Sequence, residues 1–413
     1  MTAFKRVILG NLVTWAKGCS IPRDETSVDG SVPYLHYGDL YKKYDRCLNL
    51  PEVIDEIIKI DKPDSVKDSQ MLHDGDIVFT LTSETVEDLG HCTLIINPKD
   101  KPFVSGMETT VLHLKKPRRA LPAFLNYMFQ GKEFRNILRQ FVTGMKVYRI
   151  HPNDLMKIEA NLPSLNEQAK IVSILDSFSN YISNLNRIND NLEAQISALF
   201  SKTIESSNRN TIRFGSLIKI GSGGTPKTSI GEYWSGEIPF LSPKDIDGVY
   251  TYSTEKYLTK LGLDNCNSGH YPKNTTIITA RGTVGKITLV ARDMAMNQSC
   301  YAIMARNKGQ EHYIHQLSLY AADSIKQKSN GAVFDAINAK DITEESVPDI
   351  TTYDIISFER EVTPLYDMIW ENGKEIRSLS AIRDYLLPKL MSGEIDVSTL
   401  KIPTKYSFTP SNK

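Results

Sequence analysis

The stretch Glu167–Lys202 (EQAKIVSILDSFSNYISNLNRINDNLEAQISALFSK) decides the architecture. Its apolar residues recur at alternating spacings of four and three, which is the seam of a coiled coil. They are Ile171, Leu175, Phe178, Ile182, Leu185, Leu192, Ile196 and Leu199. Asn189 occupies the remaining seam position, where a buried amide fixes register at some cost in stability; a solvent-facing Asn is the alternative. The stretch predicts a long helix that needs a helical partner.

A second helix-favouring segment, Phe358–Met391, supplies that partner. Its apolar stripe comprises Val362, Tyr366, Ile369, Ile376, Leu379, Leu386, Leu387 and Leu390. Gly373 and Arg383 interrupt the stripe, so we expect a looser or bent middle. Pro388 predicts a disturbed last turn.

Length and composition describe an ordinary protein of two or three domains, since 413 residues exceed one typical core. No apolar run is long enough to span a bilayer and no signal peptide is recognisable, so we expect a cytoplasmic protein. Five scattered cysteines without a Cys-x-x-Cys pair argue against a zinc site and a disulfide framework. Lys plus Arg equals Asp plus Glu at 49 each, which neither supports nor excludes nucleic-acid binding.

The chain contains an internal repeat. Val32–Leu35 with Asp39 matches Ile238–Leu241 with Asp245 at constant spacing. Further matches are a strand followed by a polar turn and a second strand, Asp76–Thr80 then Cys92–Ile96 in the first copy and Thr275–Thr279 then Lys286–Val290 in the second. Each copy is therefore expected to contain the same short strands.

The later part of each copy repeats as well. A helix, Leu121–Gln140 or Tyr313–Lys328, precedes a glycine, Gly144 or Gly331, that we expect to end it. A short strand and a polar turn follow, then a Leu-Pro or Val-Pro pair that leads into the long helix; these strands are Val147–Ile150 and Val333–Ile337.

These patterns predict an α+β protein in which two similar mixed α/β domains are joined by two long helices. The helices pair as an antiparallel coiled coil, which gives pseudo-two-fold symmetry. The predicted boundaries are 1–160 and 206–347 for the domains, 161–205 and 348–397 for the helices, and 398–413 for a tail. Ser206–Thr211 is the expected polar hinge between copies.

Catalytic motifs are not recognisable. In Gly221–Thr228 a proline, Pro226, replaces the second glycine of a phosphate loop, so we interpret this stretch as a flexible turn with Tyr233 and Trp234 packed nearby. His312 and His315 have the spacing of a metal pair, but an exposed helix face is the preferred interpretation and no metal site is predicted. The sequence favours a binding protein.

Basic, amide and tyrosine side chains gather near predicted turns, and such side chains contact phosphates and base edges. Each alone is more often a solvated surface residue; their concentration on a duplicated domain favours DNA contact. The candidates are Lys17, Arg23, Lys42, Lys43, Lys146, Tyr148 and Arg149 in the first domain, and Lys227, Lys244, Arg281, Lys286, Asn297, Gln298, Lys326, Lys328 and Asn330 in the second.

Several motifs resemble the target-recognition domain of the specificity subunit of type I restriction-modification systems. In the second domain they are Ser222–Lys227, Tyr233–Leu241, Ala280–Gly285 and Asn297-Gln298; Cys19–Pro22 and Thr80–Thr82 match more loosely in the first. Leu162–Gln168 resembles the family's lead into a spacer helix, whereas Thr351–Asp354 departs from that lead.

The resemblance implies that each domain reads one half of a bipartite, asymmetric site in double-stranded DNA and that the helices set the spacing. It also implies docking of two modification subunits, which methylate adenine, and through them of restriction subunits. The chain is then a non-catalytic reader without a cofactor of its own. S-adenosylmethionine, ATP and Mg²⁺ are expected on the partner subunits.

Two other functions are alternatives at this point. A stand-alone metal-dependent nuclease would use carboxylates such as Asp74, Asp76 and Glu84, although we interpret these as solvated turn residues. A coiled-coil scaffold with carbohydrate- or protein-binding domains is the second, which salt-dependent DNA binding would distinguish.

Overall fold

The chain folds into two compact units, each of which takes one globular domain and part of both long helices. The computed structural model describes residues 4–44, 46–61, 66–115, 119–205, 210–328 and 336–405, with the side chains of Arg23 and Lys42 left out. Unit 1 is Met1–Asn180 with Ser380–Lys413, and unit 2 is Tyr181–Leu379. Residues 206–209 of the predicted hinge and the last part of the tail lie outside the described residues.

The strands of the first globular domain are short and are connected by loops and small helices. They are β1 Lys5–Ile8, β2 Val13–Lys17, β3 Thr26–Ser27, β4 Val32–Leu35, β5 Cys47–Asn49, β6 Lys59–Ile60, β7 Ile77–Thr80, β8 Thr82–Ser83, β9 Cys92–Ile96, β10 Val104–Ser105, β11 Thr109–Leu114, β12 Tyr148–Arg149 and β13 Glu159–Leu162. The helices are α1 Tyr37–Lys42, α2 Leu50–Val53, α3 Pro122–Gln130, α4 Lys132–Arg139, α5 Pro152–Leu155 and the long α6 Leu165–Glu205.

The second globular domain follows the same plan. Its strands are β14 Thr211–Arg213, β15 Ile218–Ser222, β16 Trp234–Leu241, β17 Tyr250–Thr251, β18 Lys256–Leu258, β19 Thr276–Thr279, β20 Ile287–Val290, β21 Ala295–Met296, β22 Cys300–Ala305 and β23 Ser346–Pro348. Its helices are α7 Lys260–Asp264, α8 Glu311–Lys328, α9 Ala339–Glu344 and the long α10 Thr352–Ser392.

The principal sheet has the same strand order in both units. It is β2-β11-β7-β9-β5 in unit 1 and β15-β22-β19-β20-β17 in unit 2, five strands in each case. The central strands Ile77–Thr80 and Thr276–Thr279 are buried along their whole length, as expected for apolar runs covered on both faces. The predicted repeat is confirmed at the level of topology.

A smaller sheet completes each globular domain, and it too is repeated. In unit 1, β10 pairs in parallel with β4, which pairs with β6 on its other side. In unit 2, β21 pairs in parallel with β16, which pairs with β18. The strand that leads into each long helix pairs with the first strand of its domain, β13 with β1 and β23 with β14.

The two long helices contribute antiparallel segments to the core of each unit. In unit 1, Leu175 near the start of α6 belongs to the same apolar core as Leu390 near the end of α10. In unit 2, Phe200 near the end of α6 meets Phe358 near the start of α10, with ring centroids 5.8 Å apart. This pairing is the one predicted from the apolar seams.

The seam residues differ in how deeply they lie. Ile171, Leu175, Leu185, Leu192, Ile196, Val362, Tyr366, Ile369 and Leu390 are buried, while Phe178, Ile182, Asn189, Leu199, Ile376, Leu379 and Leu387 are half-buried. Asn189 accepts a 2.8 Å hydrogen bond from the side-chain amide of Asn372 on the facing helix. An amide pair therefore occupies the seam, an arrangement that favours one register.

Several local predictions were wrong. The helix predicted over Leu121–Gln140 is broken into α3 and α4 at Gly131, and α4 ends at Arg139, five residues before Gly144. α10 continues through Pro388 to Ser392, so the disturbed last turn predicted at Pro388 is not observed, and the helix begins six residues earlier than predicted. Tyr252 explains the glycine, because its hydroxyl lies where a Cβ of Gly373 would be.

Candidate nucleic-acid interface

One edge of the principal sheet collects several loops in each unit. In unit 2, β15 and β19 both run antiparallel to β22 and so end at the same edge, where β20 and β22 begin. The loops at this edge are 223–227, 280–285 and 297–299. We call this end of the sheet the loop edge, with 18–22, 81–91 and 106–108 as its loops in unit 1.

The glycine-rich loop after β15 is fixed by close backbone packing. A Cβ at Gly223 would overlap the main-chain oxygen of Asn297, and the Gly224 N–H donates to the Met296 carbonyl at 3.0 Å. The Trp234 indole donates to the Lys227 carbonyl at 3.4 Å. The glycines therefore allow the loop to approach its neighbour, and the side chain of Lys227 remains exposed.

The loop after β21 supplies the two amide residues. The Asn297 N–H donates to the Leu241 carbonyl at 2.9 Å, and its side-chain oxygen accepts from the Ser299 N–H at 3.0 Å. Asn297 thus shapes the turn. The exposed Gln298 accepts a hydrogen bond from the Thr225 hydroxyl, which ties the two loops together.

Arg281 extends from the loop that follows β19. The Ala280 N–H donates to the Ser299 carbonyl at 2.7 Å, and Ile337 donates to the Ala280 carbonyl at 3.0 Å. Arg281 itself pairs with Ala336 in an isolated bridge and has an exposed side chain. Lys286, at the return of the same loop, directs its ammonium toward the Ile246 carbonyl at 3.4 Å.

Other predicted cations of unit 2 have acidic partners. Lys244 forms an ion pair with Glu255, whose hydrogen bond raises the pKa of the lysine. Lys328 donates to both oxygens of the buried Glu345, at 2.6 and 2.8 Å. Lys326 shares the end of α8 with Lys328, away from the loop edge, and Asn330 lies outside the described residues.

Unit 1 brings its predicted residues to the equivalent edge. Lys17 ends β2, and the following Cys19 forms a bridge with Gly106, the residue after β10. Tyr148 and Arg149 form β12, which pairs with Thr82–Ser83 at the end of β7. The loop before β12 holds Lys146 and the 92% exposed Met145.

The two units present an arginine from opposite strands of the same small ladder. In unit 1 Arg149 pairs with Thr82, and in unit 2 Arg281 pairs with Ala336. Arg281 therefore corresponds in position to Thr82, and Ala336 to Arg149. The backbone pairing is the same in both units, but the arginine lies on the second strand of the pair in unit 1 and on the first strand in unit 2.

Helix α1 lies next to this ladder and holds residues that the sequence did not single out. Burial raises the pKa of the Tyr41 hydroxyl, and its ring lies 4.9 Å from that of His91. Lys43 caps the helix with an exposed side chain. Neither Tyr41 nor His91 has a charge or motif signal; only the repeat, which places β4 before a short helical turn in both units, points to α1.

The prediction of an exposed face for His312 and His315 was wrong. Their exposed fractions are 5% and 2%, because α8 turns both rings toward α10. His312 Nδ1 lies 2.9 Å from a Glu359 carboxylate oxygen, and His315 Nδ1 lies 2.8 Å from the Tyr366 hydroxyl. The i, i+3 spacing of His312 and His315 thus places both rings on the face of α8 that packs against α10.

One of the carboxylates considered for a nuclease, Asp76, is buried rather than solvated, whereas Asp74 is an exposed turn residue, as interpreted from the sequence. Asp76 is 5% exposed and lies beside His113, while Asp74 accepts from the Asn97 N–H at 2.9 Å. Glu84 is separated from them by β7, since it follows the far end of that strand. The three carboxylates do not form a common site.

Two segments of the chain match the same domain family, and these segments contain the two repeated globular domains. Residues 1–194 and 207–348 match the family described as the type I restriction modification DNA specificity domain.

No helix among the residues that the structure describes is both long and apolar enough to cross a membrane.

Curated relatives carry the same description. The type I restriction enzyme MjaIX specificity subunit of Methanocaldococcus jannaschii is 26% identical over 135 residues, 32% of this chain and 31% of that protein. The HindI specificity subunit of Haemophilus influenzae is likewise matched over only 39% of its length. The putative MjaX specificity subunit of M. jannaschii is 22% identical over 351 residues, 79% of each protein.

The fold also matches a solved structure. The crystal structure of a type I restriction-modification S subunit from M. genitalium superposes with a TM-score of 0.55 at 16% identity, covering 94% of this chain and 96% of that one. At this identity the superposition shows a shared fold, and the two matched segments identify the family. The chain belongs to the type I restriction-modification DNA specificity domain family.

Proposed function

We propose that this chain is the non-catalytic, sequence-reading subunit of a type I restriction-modification complex, with one half of a bipartite DNA site read by each unit. The observation that carries the proposal is the loop edge. In both units the same loops converge there and present exposed cationic or amide side chains, Lys227, Arg281 and Gln298 in unit 2 and Lys146 and Arg149 in unit 1.

The chemistry of these side chains suits base reading. An arginine can donate two hydrogen bonds to guanine, and a glutamine can pair with adenine, whereas a lysine neutralises phosphate. The Thr225–Gln298 hydrogen bond and the ladder at Arg281 restrict where these groups point. Because the overall charge is zero, affinity depends on such local surfaces.

Replacement of Arg281 tests the reading of one half-site. We expect Arg281→Ala, assembled with its partner subunits, to lose about 1 to 3 kcal/mol of DNA-binding free energy and to relax one half of the recognised sequence. Sequencing of the methylated sites would show this. Arg292→Ala is the matched control, because Arg292 is an exposed arginine on the turn after β20, at the opposite end of that strand.

Replacement of Arg149, the corresponding arginine of unit 1, tests the reading of the other half-site. Arg149→Ala should relax the other half of the sequence and leave the half affected by Arg281→Ala unchanged. Relaxation of the same half by both variants would contradict one half-site per unit. Unchanged recognition by both variants would show that the strand pairs holding Arg281 and Arg149 do not read DNA bases.

The partners in this proposal are two modification subunits, restriction subunits and double-stranded DNA, with S-adenosylmethionine, ATP and Mg²⁺ bound by the partner subunits. Their docking surface is the outward face of the long helices. Exposed charges on that face include Arg187 on α6 and Lys374 on α10. Lys374 also lies 4.2 Å from the centre of the Trp370 ring, so its position is defined.

Charge reversal tests the docking surface. The double variant Arg187→Glu/Lys374→Glu should stop co-purification of the modification subunits while thermal unfolding of the chain changes little, because both residues are exposed. Reversal of Glu361, an exposed residue elsewhere on α10, is the control. An intact complex with the double variant would contradict docking at this face.

A further inference from the structure

Three potential metal ligands converge at the edge of unit 1 opposite the loop edge. The Nδ1 atoms of His73 and His113 lie 3.6 and 3.0 Å from the same carboxylate oxygen of Asp76. All three ligand atoms lie within 4.8 Å of one another. Tetrahedral zinc with bonds of about 2.0 to 2.1 Å separates its ligand atoms by about 3.3 Å, so the spacing is close to that of a zinc site.

The second ring nitrogen of His113 is already oriented. His113 Nε2 lies 2.9 Å from the Ser69 carbonyl, and this bond places a proton on Nε2. Nδ1 faces the Asp76 carboxylate at 3.0 Å and binds a metal ion on release of the proton that it shares with Asp76. Histidines that bind metals almost always donate the other ring N–H to a carbonyl or carboxylate in this way. The Ser69 carbonyl therefore orients the His113 ring by a hydrogen bond, as outer-shell groups orient histidine ligands in metal sites.

Asp76 is also held in place, and one side of the cluster stays open. Asp76 is 5% exposed, and the same oxygen that faces both rings accepts the His73 N–H at 2.7 Å. The His73 side chain is 51% exposed. A metal ion could thus enter from solvent and keep a water molecule as its fourth ligand.

Unit 2 shows that the fold does not need this cluster. The Asp76 N–H donates to the His73 carbonyl, and at the same place in unit 2 the Thr275 N–H donates to the Pro272 carbonyl, both at 3.1 Å. The pairings of β11 with β7 and of β22 with β19 make His113 equivalent to Met304. Two imidazoles and a carboxylate therefore stand where the repeat has a proline, a methionine and a threonine.

We propose that His73, Asp76 and His113 bind a divalent transition-metal ion of the zinc class. Two imidazole nitrogens and one carboxylate oxygen form a ligand set that suits Zn²⁺ better than Mg²⁺ or Ca²⁺. The ion ties the loop at His73 and the residue before β7 to β11. Its role is to stabilise unit 1.

The experiment uses the full chain stripped with a chelator and then titrated with ZnCl₂. We expect one zinc ion per chain by calorimetry and a rise in melting temperature, because an ion that binds only the folded state stabilises it. Co²⁺ in place of Zn²⁺ should give the visible absorption of a tetrahedral site with nitrogen and oxygen ligands.

Variants separate this site from adventitious zinc. His73→Ala should weaken zinc binding by at least about 10-fold, with the metal-free melting temperature almost unchanged, since the ring is half exposed. His270→Ala, at an exposed histidine of unit 2, should bind zinc like the wild type. Equal zinc affinity in His73→Ala and wild type, or no zinc binding by the wild type, would overturn the proposal.

Discussion

Unit 1 and unit 2 share a strand order but hold the long helices with different polar contacts. In unit 1 the Tyr127 hydroxyl donates to Asp176 of α6 at 2.9 Å in a partly exposed setting. In unit 2 the buried Glu359 of α10 accepts from the Tyr313 N–H at 2.7 Å and faces His312 of α8 at 2.9 Å.

The difference shows which features specify the fold. In both units the apolar core combines residues of the two long helices with residues of the globular domain, so this feature is common to the shared topology. The polar contacts are not equivalent and so are not dictated by it. Their energetic weight should differ too, because an unpaired polar group costs far more when it is buried than when water can reach it.

The largest expected effect is that of Glu359→Ala. It leaves the Tyr313 N–H and the His312 ring without their acceptor inside the core, and we expect a loss of about 3 kcal/mol in the stability of unit 2. Hydrogen exchange resolved by peptide would locate the loss in α8 and α10. The exposed Glu361→Ala is the control on the same helix.

A matched substitution in unit 1 tests whether burial determines the size of this loss. Asp176→Ala removes the acceptor of Tyr127, but its side chain is 24% exposed and water can replace it, so we expect less than about 1 kcal/mol. A loss as large as that of Glu359→Ala would show that burial does not distinguish the two contacts.

The second effect is a pH dependence of the stability of unit 2. Burial lowers the pKa of His315 to about 3, and the neighbouring His312 contributes. The Tyr366 hydroxyl faces His315 Nδ1, Gln316 donates to that hydroxyl, and the other charged groups near this cluster are Glu359 and Glu193. In the unfolded chain the pKa of the His315 ring is about 6.5.

The sign follows from these two pKa values. Between pH 6.5 and 3 the unfolded chain binds a proton that the folded chain does not, so the stability of unit 2 falls as pH falls. From pH 7 to pH 5 the loss should be about 2 kcal/mol. His315→Gln, which cannot take up the proton, should show a smaller pH slope in α8 exchange; an equal slope would exclude His315 as the source.

The third effect concerns Gly373, where α10 contacts Tyr252. The Tyr252 hydroxyl donates to the Ile369 and Trp370 carbonyls at 3.2 and 3.0 Å, so it cannot move away from an added methyl group. Gly373→Ala should therefore cost about 1 to 2 kcal/mol despite the better helix propensity of alanine. Urea unfolding would measure it, and the cost should shrink in a Tyr252→Ala background. Gly231→Ala, with nothing within 4 Å of the added Cβ, is the control.

The sequence predicted what depends on local periodicity. The apolar seams gave both long helices, and the repeat gave strands such as Ile77–Thr80 and Thr276–Thr279. It did not predict which side chains meet. Glu359 pairs with His312 from 47 residues away, and the cluster of His73 and Asp76 is completed by His113 on another strand. Such contacts depend on how helices and strands that are distant in the chain pack together, which a single sequence does not show.

The last prediction tests whether both long helices begin with the same kind of N-terminal cap. At α6, the Glu167 carboxylate accepts from the Ser164 N–H at 3.0 Å and the Glu167 N–H donates to the Ser164 hydroxyl at 3.3 Å. At α10, the Asp354 N–H donates to the Thr351 hydroxyl at 3.2 Å, and that hydroxyl donates to the Asp354 carboxylate at 2.6 Å. The Thr351–Asp354 lead thus caps its helix although its sequence departs from that of Leu162–Gln168.

Loss of either cap should cost about 1 kcal/mol, because a backbone N–H in the first turn of the helix loses its side-chain acceptor. We expect Ser164→Ala and Thr351→Ala to have similar effects, each seen as faster exchange in the first turn of its own helix. Thr351→Ser keeps the hydroxyl and should retain most of the stability. If Thr351→Ala changed nothing while Ser164→Ala destabilised α6, the two helix starts would differ in energy as well as in sequence, and α10 would depend on packing alone for its first turn.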